Sequence, residues 1–344
     1  MRSGLALLAW AALGCTPALV VQEPPDAPTE AATGCTILEG GRVLTSAAAD
    51  FDPGHVVFDR GRLVAVGSLA YSPLVGQPAR ADCKVVDARG LVVTAGLIDT
   101  HSHLGVYPWP QALAHADGNE MTNPVTADVR AEDAVWPQDP GFQRALQGGV
   151  TTLHVLPGSG NLIGGRGVTL HVMPRRSAMA MRFPGAPESL KMACGENPKR
   201  TYGEEKKSAP MTRMGNIRGQ RSAFLEAIRK NGDLDLGEST LKDVVAGKIL
   251  VQMHCYRADE MVLMLGVADE FGFKIRSFHH ALEAYKIADI LTKREVAVST
   301  WADWWGFKLE AWDGIPENAA MVLAAGGRVN IHSDSAIGIQ RLNQ

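Results

Sequence analysis

The chain has 344 residues, of which 46% are hydrophobic and 21% charged. That is enough for a large core, in one big domain or two smaller ones. A formal net charge of −3 argues against a basic nucleic-acid surface and against an acidic tail, and 36 glycines fit many tight loops between short elements.

The first fifteen residues, "MRSGLALLAWAALGC", join one positive side chain, Arg2, to a short apolar run and then small residues. This is a secretory signal pattern, too short to span a bilayer as a mature helix. Cys15 stands where a bacterial lipoprotein would be cleaved and lipidated. The expectation is therefore an exported bacterial protein, periplasmic or anchored to the membrane through an N-terminal lipid. Residues 16–33, rich in Pro, Ala and acidic side chains, read as a flexible tether. Export permits disulfides. Cys35 and Cys83 share a strand-rich stretch and could bond or remain buried thiols, whereas Cys194 and Cys255 read as small buried hydrophobes.

Residues 34–95 hold short β-type runs, "CTILEGGRVL", "GHVVFDRGRLVAVG" and "CKVVDARGLVV", in a stretch cut by Gly, Asp and Pro. They predict a small all-β unit. From residue 96 to 344 the texture changes to strand-like runs alternating with helical segments, the pattern of βα units around a parallel sheet. Eight strands are predicted: "LVVTAGLIDTHSH", "GVTTLHVLP", "GVTLHVMP", "SLKMACGEN", "KILVQMHC", "FKIRSFHH", "EVAVSTWAD" and "GRVNIHSD". Helices are predicted at "SAFLEAIRKNG", "ADEMVLMLGVADEFG" and "ALEAYKIADILTKR", stopped by glycine or closed by basic residues. Eight such units make a (β/α)8 TIM-like barrel, whose catalytic face lies at the C-terminal strand ends.

Polar residues gather at those ends. His101 and His103 are two apart on one strand, so both imidazoles face the same side. Lys191, His254, the pair His279–His280 and Asp334 end later strands. Imidazole and carboxylate suit Zn²⁺ and similar divalent ions. One or two such ions would acidify water, and an aspartate would carry its proton to a leaving nitrogen.

"GLIDTHSHLG", followed in order by His, His and Asp at strand ends, resembles the amidohydrolase superfamily of metal-dependent hydrolases. "GSGNLIGGRG", "LKMACGENPKRTYG" and "MTRMG" resemble segments of its bacterial secreted members, closest to the imidazolonepropionase-like and dipeptidase-like branch. The resemblance runs from about residue 35 to the C-terminus. It implies a barrel beside a β-sandwich, here incomplete. It also implies hydrolysis of a small amide, cyclic amide or dipeptide.

Residue by residue, the resemblance implies that His101 and His103 hold the more buried metal and that His254 and His280 hold the more exposed one. Asp334 would touch the buried metal and shuttle protons. Lys191, carboxylated on its amine, would bridge. His280 is preferred to His279 because "HALEAY" resembles the family's segment after the ligand; His279 would then face outward into packing. Lys191 is preferred to Glu196 because "SLKMA" reads as a strand and Glu196 falls in the loop beyond; a mononuclear site without a bridge is the third option.

Arg257 is a candidate for a substrate carboxylate, set against an ion pair with Asp259 or Glu260. Asp99 reads as a strand-end hydrogen-bonding group. His154, His171 and His332 read as structural, and Tyr107, Trp109, Trp304 and Trp305 as pocket walls or loop packing. In the family a C-terminal segment returns to complete the β unit, whereas this sequence ends at "AIGIQRLNQ". The expectation is a barrel cut short. Two other readings stay open: a mononuclear deaminase of the same superfamily, and a truncated, non-catalytic homologue.

Overall fold

The computed structural model describes residues 34–68, 83–173 and 175–344, and the chain divides after Thr94 into two units. The signal-like segment, Cys15 and the tether lie outside the described residues. In the first unit the β-type runs form β1 (Cys35–Leu44), β2 (Phe51–Asp59), β3 (Arg62–Ser68), β4 (Cys83–Asp87) and β5 (Val92–Thr94). They lie in one sheet of order β3-β2-β1-β4, with β5 also on β1, so the described strands supply a single layer of the expected sandwich. β1 pairs with β4 as far as Glu39 and with β5 from Arg42 onward. Gly41 marks the changeover: a Cβ there would stand 2.9 Å from the Ala88 carbonyl oxygen. Register sets Cys35 opposite Cys83, and the two are bonded.

The second unit contains all eight predicted strands. They are β6 (Leu97–Ser102), β7 (Val150–Val155), β8 (Ile163–His171), β9 (Ser189–Ala193), β10 (Leu250–Cys255), β11 (Ile275–His280), β12 (Ala297–Thr300) and β13 (Val329–Ile331). They run in sequence order around one sheet. Its two end strands are tied by the Asp334 N–H donating to the His101 carbonyl at 3.2 Å and the Ser333 N–H donating to Asp99 Oδ1 at 3.2 Å.

One expectation is corrected. The third strand, β8, is antiparallel to both β7 and β9. The link from Val155 to Ile163 contains no helix, and a connection that short turns the chain back rather than crossing over. The remaining ladders are parallel.

The α-helices among the described residues are α1 (Pro140–Gln147), α2 (Ala178–Met181), α3 (Glu196–Lys199), α4 (Arg213–Arg229), α5 (Leu236–Val245), α6 (Ala258–Phe271), α7 (Ala288–Lys293) and α8 (Asn318–Ala324). α5 starts with a capping box, Asp235 and Glu238 satisfying each other's backbone N–H groups, and α6 stops at left-handed Gly272. No described helix is long and apolar enough to cross a membrane.

Strand alternation divides the side chains between core and site. Leu190 and Met192 of β9 and Val251, Met253 and Cys255 of β10 join Phe224 of α4, Leu241 of α5 and Met261 of α6 in one buried apolar cluster. The residues between them, Lys191, Gln252 and His254, are left to the barrel interior.

Cys255 does not stay a free thiol. β9–β10 register puts His254 across from Ala193, which brings Cys255 to Cys194, and the two form a disulfide. That corrects the reading of both as simple hydrophobes; the apolar burial was right, but each sulfur is bonded.

Candidate metal centre

β6 is fixed at its end by Asp99, which is buried. Asp99 Oδ1 accepts the N–H of His101 at 3.1 Å, and its Oδ2 accepts the Ser333 hydroxyl. Burial pushes this carboxyl up to about 6, while the hydrogen bonds from Ser333 and His101 oppose the shift. Asp99 is thus the strand-end tie the sequence suggested. Beyond it, the loop after His103 is held by Asp139, which caps α1 through the Gly141 N–H and also accepts the N–H groups of Gly105 and Trp109.

The donors converge. His101 Nε2 lies 3.4 Å from His103 Nε2 and 3.6 Å from Asp334 Oδ1, and His103 Nε2 lies 3.3 Å from that same oxygen. The donor atoms of these three residues all fall within 4.8 Å of one another. Lys191 is fully buried; its ammonium donates to the Pro157 carbonyl at 3.0 Å and sits 3.5 Å from His101 Nε2. Glu196 lies elsewhere, at the start of α3, paired with Lys308 at 3.1 Å. His280 Nδ1 is 3.8 Å from Asp334 Oδ2, and the His254 and His280 rings are 4.5 Å apart between centroids.

Two histidines depart from their expected places. His279 does not face outward. It is buried, with Nδ1 2.9 Å from His101 Nδ1 and Nε2 2.8 Å from Gln252 Oε1. Alternation fails here because His280 turns to φ 69°, which lets both neighbours point inward. His332, read from the sequence as structural, also stands in the cluster. It stacks on His101 at 5.0 Å, and with His101 and His280 makes a second set of donors within 4.8 Å. Its shared parity with Asp334 was the available signal.

Tyr256 and Trp301, which the sequence did not single out, stack on the His280 ring at 5.1 and 4.4 Å. Trp304 packs on Trp301 at 5.1 Å, and Tyr107 lies edge-on to His103 at 5.8 Å. His154 is structural, bonded to the Ser189 hydroxyl at 2.8 Å, and His171 packs against Phe183. Arg257 is not drawn into the cluster: its guanidinium forks onto Asp259 at 2.9 and 3.0 Å.

The electrostatics favour cation binding. Burial first, then nearby positive groups, hold His101, His254, His279 and His280 well below the ordinary imidazole value. Burial lowers His332 to about 4. These rings are therefore neutral at pH 7, the state that ligates metal. Burial raises Asp334, but its close contact with His103 and the fields of His103, His332 and Lys191 outweigh it, so it stays ionised. Burial pushes the Lys191 ammonium down to about 8.

His103 Nδ1 donates to the Leu156 carbonyl at 2.7 Å, which leaves the Nε2 lone pair turned to the cluster. Both nitrogens of His254, both of His332, and Nδ1 of His280 are buried without a hydrogen-bond partner. Nitrogen and carboxylate donors, neutral rings and orphaned lone pairs together fit a divalent cation.

No family model matches the chain. It is 33% identical over 307 residues to amidohydrolase tasK of Hapsidospora irregularis, covering 79% of this chain and 31% of that protein. It is 30% identical over 125 residues to a 5-methylthioadenosine/S-adenosylhomocysteine deaminase of Symbiobacterium thermophilum, covering 34% of this chain and 27% of that protein. A crystal structure of an amidohydrolase from Thermotoga maritima matches with a TM-score of 0.80 at 31% identity, over 89% of this chain and 80% of that one. The chain thus spans under a third of the length of these two curated relatives.

Proposed function

The chain belongs to the amidohydrolase superfamily of hydrolases, and from that membership and the converging donors we propose that it hydrolyses the C–N bond of a small amide, cyclic amide or dipeptide with divalent metal, Zn²⁺ being the first choice. The observation that carries this is the meeting of His101, His103 and Asp334 donor atoms within 4.8 Å beside buried, unpartnered imidazole nitrogens. His101, His103 and Asp334 would hold one ion, and His254 and His280 a second, with His332 available to it. A cation bound there would lower the pKa of its water to about 7 and polarise a carbonyl.

Asp334 has its two oxygens in different places. Oδ1 is turned to His101 and His103, and Oδ2 to His280. An ionised carboxylate so placed takes a proton from the attacking water and returns it to the leaving nitrogen. Lys191 bears on the metal count. A buried ammonium among donors would repel a cation, whereas carboxylation by CO₂ makes it an anionic ligand. Its pKa near 8 keeps part of the amine free to react. Export is proposed as well, supported by the two disulfides among the described residues.

The deaminase reading has its own support in the relative from S. thermophilum and in the contact of the Lys191 amine with the Pro157 carbonyl. Metal analysis separates the two: two equivalents with a carbamate formed from isotope-labelled bicarbonate favour amide hydrolysis, and one equivalent with an unmodified lysine favours deamination. Turnover is then screened on dipeptides, acyl-amino acids, lactams and aminopurines. Protein that takes up no divalent metal at neutral pH overturns both readings.

A further inference from the structure

His101 and His103 reach the same centre, but their far sides are held differently. His103 Nδ1 meets a backbone carbonyl, whereas His101 Nδ1 meets another imidazole. Gln252 stands behind that imidazole on β10, two residues before His254 and on the same face. Its carbonyl oxygen can only accept, so at 2.8 Å it takes the proton of His279 Nε2. A neutral His279 then has a lone pair on Nδ1, 2.9 Å from His101 Nδ1. His101 must donate there. Its Nε2 is left with a lone pair, aimed at His103 Nε2, Asp334 Oδ1 and Lys191 Nζ.

We propose that Gln252 and His279 form a tautomer-setting relay that fixes His101 as the Nδ1–H form and so keeps its Nε2 ready to ligate metal. Gln252, His279 and His101 are 8%, 1% and 0% exposed, so water does not compete for the three positions. Reversing the Gln252 amide would reverse the chain: an N–H toward His279 would put a proton on His279 Nδ1, then one on His101 Nε2, and close the site to a cation. The pair act as positioning residues, through His101. The proposal rests on the metal-centre reading, and it adds which residues outside the ligand set that centre needs.

The test uses the whole protein with four sequences: wild type, Gln252→Met, His279→Leu and His279→Asn. Asn places its amide oxygen near the position of the imidazole Nδ1, so it can still accept from His101. Zn²⁺ affinity is measured by competition with a chromophoric chelator. Losing the relay should weaken the tightest Zn²⁺ by about 10–100-fold in the Met and Leu variants, with Asn returning to within roughly threefold of wild type.

Nitrogen NMR of ring-labelled histidines in metal-free protein gives the second readout, and wild type should show His101 protonated on Nδ1. Met and Leu variants that bind Zn²⁺ like wild type, or a wild-type His101 protonated on Nε2, overturn the relay. A wild type that binds no metal overturns the metal-centre reading, and the His101 tautomer in its spectrum still decides the relay. If a variant does not fold, the wild-type spectrum decides it in the same way.

Discussion

The two sides of the barrel mouth hold their imidazoles by opposite means. On the β6 side the protein itself engages the far nitrogen of each ring: Leu156 for His103, and His279 for His101. On the side built from β10, β11 and β13, His254 and His332 have no partner on either nitrogen, and His280 has none on Nδ1. All three are buried. A buried polar atom without a partner costs about 1–3 kcal/mol. The first side is therefore organised by the protein alone. On the second, each neutral ring keeps a lone pair that no described group engages, and a cation would accept it.

Asp334 joins the sides, one oxygen to each, and its loss should have the largest effect. Asp334→Asn keeps the shape and removes the base. The expected fall in kcat is about 10²–10⁴-fold at pH 7, read by steady-state kinetics on whichever amide the screen identifies. Turnover surviving at the wild-type rate would take the proton shuttle away from this residue.

Removing metal comes next in size. If each bound ion stands at about 1,000 times its Kd, chelation should cost about 4 kcal/mol per site. The melting temperature of wild type should fall with a chelator and recover with Zn²⁺. His254→Ala and His280→Ala should retain roughly half of that recovery, since the β6 side would still bind. An identical recovery in all three proteins would mean that the two sides are not separate sites.

The Cys194–Cys255 disulfide lies at the ends of β9 and β10, and Cys255 directly follows His254. Replacing both cysteines with serine should cost about 2–5 kcal/mol. The functional loss should be confined to the second side: one metal equivalent lost, the tighter one kept. Loss of both equivalents in a folded variant would contradict the division.

Much of this was legible in the sequence because it follows from alternation. The pair His101 and His103, the strand ends at His254 and Asp334, and all eight strands come from runs whose parity is regular. The misses fall where regularity breaks or where the information is not local. His279 points inward because His280 leaves the β region of backbone space, which no hydrophobic pattern reports. The Cys194–Cys255 bond depends on the register between β9 and β10, set by the whole sheet. Gln252 was within reach: it shares parity with His254, but glutamine carries no metal-ligand signal and drew no notice. The reversed β8 was legible too, in a link with no room for a helix.

The smallest effect is the one most particular to the comparison, and it concerns metal-free protein. A truncation on the β6 side leaves its former partner unpaired. His103→Ala strands the Leu156 carbonyl and breaks the contact with Asp334, so apo protein should lose about 1–3 kcal/mol in a denaturant melt. His254→Ala removes two nitrogens that have no partner to strand. What it loses is ring packing against His280 and Tyr256, and what it gains is relief from two buried, unsatisfied atoms. These terms oppose each other, so the net change in apo stability should be smaller than for His103→Ala, although His254 is the more buried residue. Core burial alone predicts the reverse order. If His254→Ala proves the more destabilising in metal-free protein, its nitrogens are satisfied in solution and the second side is as self-sufficient as the first.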